Sequence, residues 1–272
     1  MSNTPLPWTL ESIDFASIDP ELARANDDLV CLICASSFIE SGSDLYAANL
    51  VAHYEGDEDV QGWLRDQWEH EELQHGRALA TYVRHAWPDF DWDAAFKDFF
   101  AEYGAVCTAE NLEDRRGLEL AARCVVETGT ASLYRAIHGL TTEPVLKQLT
   151  AHIKNDEVRH YKYFYKYFRE YEAREKNGRR RVFGALWRRL MEIRDEDGDI
   201  AIKHVFAYRH PEYNQSKASF RQAANRVNDI VRRNLPTEMT VKMLLKPLDL
   251  SPRVNNFIQK PLTRITERFV LQ

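Results

Sequence analysis

Two Glu-x-x-His segments, Glu72-Leu73-Gln74-His75 and Glu157-Val158-Arg159-His160, constrain this 272-residue chain more than anything else in it. Each lies inside a long stretch of helical periodicity. Positions i and i+3 of an α-helix sit on one face, roughly 60° apart, so each segment turns a carboxylate and an imidazole the same way and can share a metal ion. Two further acids stand amid apolar neighbours in the middle of helical runs: Glu40 in Ser37-Phe38-Ile39-Glu40-Ser41, and Glu127 in Cys124-Val125-Val126-Glu127-Thr128. An isolated buried charge is expensive, so both predict a metal or cationic partner. Glu72 follows Glu40 by 32 residues and Glu157 follows Glu127 by 30, which implies two similar helical hairpins. Four carboxylates and two imidazoles suit iron or manganese, and the absence of candidate thiolate ligands argues against an iron–sulfur cluster. His70 and His75 are five apart, one too many for the His-Glu-x-x-His of a zinc protease.

Long amphipathic runs, 44% hydrophobic residues and only 11 Gly predict an all-α protein. No apolar run is read as approaching the roughly 18 residues of a membrane span. Met1-Ser2-Asn3-Thr4-Pro5 lacks the basic flank and apolar core of a secretory signal, and four cysteines without a paired framework suit a reducing compartment. The expected location is therefore cytoplasmic. Cys31-x-x-Cys34 sits among apolar residues of a helical run and reads as a pair of core thiols rather than a redox motif. The formal charge of −6 conceals an asymmetry: residues 1–170 carry −15 and residues 171–272 carry +9. The acidic part holds every candidate ligand, and the basic part suits an anionic partner.

Along the chain, residues 1–18 read as an extended leader. Asp19-Pro20-Glu21 is a helix start, and a helix is expected from there to about Tyr54. Glu55-Gly56-Asp57 breaks it before a second helix that ends at Trp87-Pro88. The aromatic-rich stretch 88–112 is expected to contain a crossover helix. A third helix covers roughly 112–140 and a fourth runs from Pro144 to about Lys176, stopped by Asn177-Gly178. Beyond lie a helix near 181–194, a break at 195–199, a helix near 216–234, and a proline-punctuated tail whose fold the pattern does not define. The domain reading is a leader over 1–18, a bundle over 19–176 and a helical extension over 177–272.

Trp68-x-x-Glu71-Glu72-x-x-His75-Gly76 and Asp156-Glu157-x-Arg159-His160 resemble the two signature segments of soluble acyl-acyl-carrier-protein desaturases, and Glu127-x-x-Thr130 resembles the Glu-x-x-Thr of that family's third helix. The resemblance covers roughly residues 25–170. It implies a ferritin-like four-helix bundle with a crossover helix, binding two iron ions, with manganese the alternative, and using dioxygen and two electrons from an external donor such as a ferredoxin. By motif position it implies Glu40, Glu72, His75, Glu127, Glu157 and His160 as ligands and Thr130 as the hydroxyl beside the dioxygen site. Asp156 and Trp68 carry over as supporting or electron-route residues, and an acid beside a ligating imidazole fixes its tautomer. A homodimer is expected from the same source. The substrate would be an acyl chain or similar aliphatic molecule, either free or bound to a carrier.

Neighbouring classes fit less well. The double Cys-x-x-Cys…Cys-x-x-Cys of a rubrerythrin iron site is absent, and the position of a ribonucleotide-reductase radical tyrosine, four residues after the first Glu-x-x-His, is Leu79. A bare ferritin bundle would leave about a hundred C-terminal residues unexplained. A hydroxylase or N-oxygenase of a free small molecule stays open as the alternative, as does a non-catalytic iron-binding protein. Arg179, Arg180, Arg181, Arg188 and Arg189 could dock an acidic carrier protein; as a nucleic-acid signal they lack any recognisable module, and no nucleic-acid partner is expected. The aromatic run Tyr161, Tyr163, Phe164, Tyr165, Tyr167 and Phe168 reads as packing, and His204, Tyr208 and His210 receive no ligand role.

Overall fold

The computed structural model describes residues 6–195 and 197–271, and among them every regular element is a helix. By contacts the chain falls into two compact units that interleave along the sequence. One comprises Met1–Asn111, Thr141–His152 and Asp195–Ile230; the other comprises Leu112–Leu140, Ile153–Arg194 and Val231–Gln272.

In the first unit the described part of the leader, residues 6–18, is not simply extended. Leu10–Ser12 and Phe15–Ser17 form 3-10 turns, and Trp8, Ile13 and Ile18 are buried. The expected single helix to Tyr54 is three: α1 (Pro20–Arg24), α2 (Asp27–Ser41) and α3 (Ser43–His53). Asp19 Oδ1 accepts from the Glu21 and Leu22 amides to cap α1, and Asn26 Oδ1 accepts from Leu29 N to cap α2. These side chains compete with the helix for backbone donors, which is why the chain restarts there. Gly42 separates α2 from α3. Nearly every α2 residue from Leu29 to Phe38 is buried, as expected of a helix apolar on all sides. The stretch Asp27–His53 consequently has the length and composition of a membrane span, contrary to the sequence expectation, but 72% of its apolar window is buried inside the protein.

The second expected helix is likewise interrupted. After α4 (Glu58–Trp63), the segment Leu64–Trp68 is a π-helical turn, and α5 (Glu69–Ala86) follows directly. α6 (Trp92–Val106) is the helix expected in the aromatic stretch. Its Trp92 donates to Ser37 Oγ at 2.8 Å, and Trp92, Phe96 and Phe99 surround Phe38 of α2. α2 packs on α5 and on α10 (Asp197–Arg209), which also packs on α6. Sequence reasoning missed α10, whose acidic start reads as a break; its apolar positions Ala201, Ile202, Val205 and Phe206 recur at helical spacing and are buried. α11 (Lys217–Asn234) buries only Ala223, Ala224 and Val227.

In the second unit, α7 (Arg116–Leu140) lies close to the predicted third helix. α8 (Pro144–Glu175) passes from one unit to the other at His152–Ile153. Glu143 caps it, accepting from the Val145 and Leu146 amides, and Lys176 at φ 52° follows its end, with Gly178 at φ 78° leading into the next helix. Tyr161, Phe164, Tyr167 and Phe168 are buried, and Tyr161 Oη donates to the Met243 carbonyl at 2.6 Å. α9 (Arg179–Asp195) carries the arginine cluster. The tail forms α12 (Thr237–Leu245), packed on α7, and α13 (Pro252–Leu271), packed on α12.

Candidate metal centre

Each unit contains a buried group of two carboxylates and one histidine that could hold a metal ion. In the first unit these are Glu40 of α2 with Glu72 and His75 of α5, whose ligand-type atoms lie within 4.8 Å of one another. In the second they are Glu127 of α7 with Glu157 and His160 of α8, equally close. None of the six is more than 8% exposed. His75 Nδ1 stands 3.7 Å from Glu40 Oε2, and His160 Nδ1 stands 3.5 Å from Glu127 Oε2 and 4.0 Å from Glu157 Oε2. These separations exceed a good N–H···O hydrogen bond of about 2.7–3.2 Å. They are close to the spacing of two ligand atoms that each sit about 2.0–2.2 Å from one ion. The donor sets, oxygen-rich with one imidazole each, fit iron or manganese.

Local sequence explains how the first triad is assembled. A Cβ at position 76 would lie 2.6 Å from the Ser41 amide nitrogen and 2.7 Å from its Cα, so only glycine lets α5 come this close to α2. That approach sets His75 against Glu40. The Trp8 indole stacks on the His75 ring at 6.1 Å with 4° between planes, and on His152 at 5.2 Å. Gln74 Nε2 donates to the Trp8 carbonyl at 3.0 Å, fixing that leader residue in place. The π turn that ends at Trp68 shifts the register of the following helix one turn before Glu72, a device that recurs at functional sites. Neither Trp8 nor the π turn was foreseen: a lone tryptophan in a leader carries no signal, and π geometry has no residue signature. Gly76 stood in the motif, but its role needs the neighbouring backbone.

In the second triad, Thr130 Oγ1 donates to Glu157 Oε2 at 2.6 Å and also lies 3.3 Å from the carbonyls of Val126 and Glu127. Burial pushes the Glu127 carboxyl up to about 7; His160 opposes the shift and the Glu157 charge reinforces it. Asp156 is buried and forms an ion pair with Arg159 at 2.8 Å. Trp68 is buried at the end of the π turn. No metal-binding arrangement involves His204, whose Nε2 lies 2.8 Å from Glu102 Oε2, among the described residues.

The basic cluster on α9 is divided in its partners. Arg179 donates to the Leu248 and Asp249 carbonyls, Arg188 forks onto the Glu113 carboxylate, and Arg189 is buried 3.3 Å from Glu119 Oε2. Glu119 is fully buried, also meets Arg123 at 3.2 Å, and has its pKa raised by burial against the pull of Arg189. Arg180 and Arg181 are exposed.

No protein-family model matches the chain, and no curated protein matches it either.

Proposed function

We propose that the protein is a dioxygen-dependent di-metal oxidoreductase of ferritin-like architecture, most similar in its motifs to acyl-carrier-protein desaturases and acting on an acyl chain or similar aliphatic substrate. The observation that carries this reading is the occurrence of a buried Glu–Glu–His triad in each unit, each with an imidazole nitrogen 3.5–3.7 Å from a carboxylate oxygen. Each triad alone offers three protein ligands, and taken together they make the set that the motif resemblance calls for.

Glu40, Glu72 and His75 would hold one ion and Glu127, Glu157 and His160 the other. Bound iron would supply the dioxygen chemistry and the hydrogen abstraction, fed by an external electron donor. The residues themselves fix geometry and exclude water. Their near-complete burial keeps bulk solvent from the ligand atoms, and the Trp8 stack holds the His75 ring plane. Thr130 keeps a proton at Oγ1 directed to Glu157 Oε2, so a hydroxyl is poised beside a ligating carboxylate. A docked acyl carrier would rely on Arg180 and Arg181, the exposed members of the basic cluster with no described side-chain hydrogen bond or ion pair.

Metal analysis after anaerobic reconstitution with iron should give about two equivalents per chain. Replacing both His75 and His160 with alanine should remove most of it while the far-ultraviolet helix signal persists. Undiminished metal content in that variant would overturn the ligand assignment. Oxygen uptake by the reduced, loaded protein without any substrate oxidation, together with a shell-sized mineralising particle, would replace the enzyme with an iron-storage protein.

A further inference from the structure

The first unit contains a third cluster of ligand-type side chains that the proposed oxygen chemistry does not use. Asp27 and Cys31 are one helical turn apart on α2, and His210 follows the end of α10; one ligand atom from each lies within 4.8 Å of the others. Cys31 is buried, Asp27 is exposed and His210 is partly exposed, so the cluster sits at the protein's edge with an open side.

The histidine's orientation points to a ligand. His210 Nδ1 lies 3.2 Å from Glu212 Oε1, a carboxylate able to accept a proton carried on that nitrogen. The other nitrogen, Nε2, is buried and forms an ion pair with Asp27 Oδ2 at 2.6 Å. That separation suits a proton shared within the ion pair; with the proton on Nδ1 instead, Nε2 presents a lone pair beside the Asp27 carboxylate, and a metal ion can take the place of the shared proton. A carboxylate on the far nitrogen is the usual support of a metal-ligating imidazole. The neighbouring acid Asp28 is engaged by Arg226 at 3.5 Å, and Arg209 by Asp89 at 2.8 Å, so the two nearby arginines are spent on other carboxylates.

We propose that Asp27, Cys31 and His210 form a separate mononuclear site for a borderline-soft divalent ion of the zinc type, with Glu212 positioning the imidazole and the fourth ligand place open to water. The mixture of one thiolate, one imidazole and one carboxylate is what such an ion takes, unlike the oxygen-rich triads. On binding, the ion replaces the Cys31 thiol proton, which leaves to solvent, and the sulfur–metal bond forms in its place. The α2 start and the α10 end would be clasped by it. The cluster's bland explanation is an imidazolium held between Asp27 and Glu212 with the thiol as a bystander.

Cobalt(II) separates the two, because a thiolate ligand gives a near-ultraviolet sulfur-to-cobalt charge-transfer band that carboxylate and imidazole cannot. Titrated into the full-length protein, cobalt should produce this band with the final intensity of one sulfur-ligated ion per chain, and zinc should abolish it. Cys31→Ser should lack the band, whereas Cys34→Ser and Cys124→Ser should keep it. Glu212→Gln and Asp27→Asn, both at exposed carboxylates, should keep the fold by circular dichroism and weaken cobalt binding by about 10-fold or more. Absence of the band in the unaltered protein, its survival in Cys31→Ser, or unchanged affinity in both carboxylate variants overturns the site. The triads contain no sulfur, so this readout fails or succeeds independently of the oxidoreductase reading.

Discussion

Glu127 shows how one side chain would tie stability to the proposed metal. Its ordinary pKa of 4.5 rises to about 7 in the fold, chiefly through burial. Below 4.5 the carboxyl is protonated whether folded or unfolded, so it makes no difference. Between 4.5 and about 7 the folded state alone keeps the proton, and above 7 it must bury the charge. Its contribution therefore destabilises the metal-free protein progressively as pH rises through this window. Thermal unfolding of the metal-free protein from pH 5 to 8 should show a falling midpoint that Glu127→Gln flattens. With metal bound the carboxylate is matched by a cation, and the midpoint should cease to fall. An unaltered slope in Glu127→Gln would show that other groups set the pH dependence. The legibility of this residue in the sequence came from its apolar neighbours; its shift comes chiefly from burial, adjusted by His160 and Glu157, and only folding supplies all three.

At the scale of helices, Gly76 and the α9 arginines give opposite lessons about motifs. Gly76→Ala places a methyl 2.6 Å from the Ser41 backbone, where no flexible side chain can yield. Overpacking of this kind costs about 1–3 kcal/mol, so denaturant unfolding should register a loss of that order. Because α5 must move away from α2, Glu40 and His75 separate, and one of the two metal equivalents should be lost preferentially. Among the arginines, Arg189 is a core residue matched to buried Glu119, and removing one partner of such a pair costs about 3–5 kcal/mol. Arg189→Ala should thus be strongly destabilising. Arg180→Glu with Arg181→Glu should leave stability nearly unchanged, and if a carrier docks there should raise the KM for carrier-bound substrate in a salt-sensitive way. Equal kinetics in that double variant would remove the carrier. Read as a linear cluster, the five arginines look equivalent; helical phase and partners on distant segments divide them.

For the whole molecule, metal is expected to be a structural element as well as a reagent. Ions that bind only the folded state add RT ln(1 + [L]/Kd), about 4 kcal/mol at a thousandfold excess over Kd. Chelation should accordingly lower the unfolding midpoint, and re-addition of iron or manganese should restore it. What the sequence determined by itself were features with a local physical cause. Helical periodicity made the chain all-α, capping residues such as Asp19 marked helix starts, and the i, i+3 spacing paired each glutamate with its histidine. The acidic start of α10 hid a helix whose buried stripe was present in the pattern, so a local signal there outweighed a better one. What only the tertiary structure decided were relations between segments far apart in the chain. The Trp8 ring on His75, the approach of α5 to Ser41, the spending of Arg188 and Arg189 on Glu113 and Glu119, and the meeting of His210 with Asp27 and Cys31 all belong to this group. Periodicity reports which face of a helix is apolar, but not which neighbour covers it, because that choice is made by packing the whole set of faces at once.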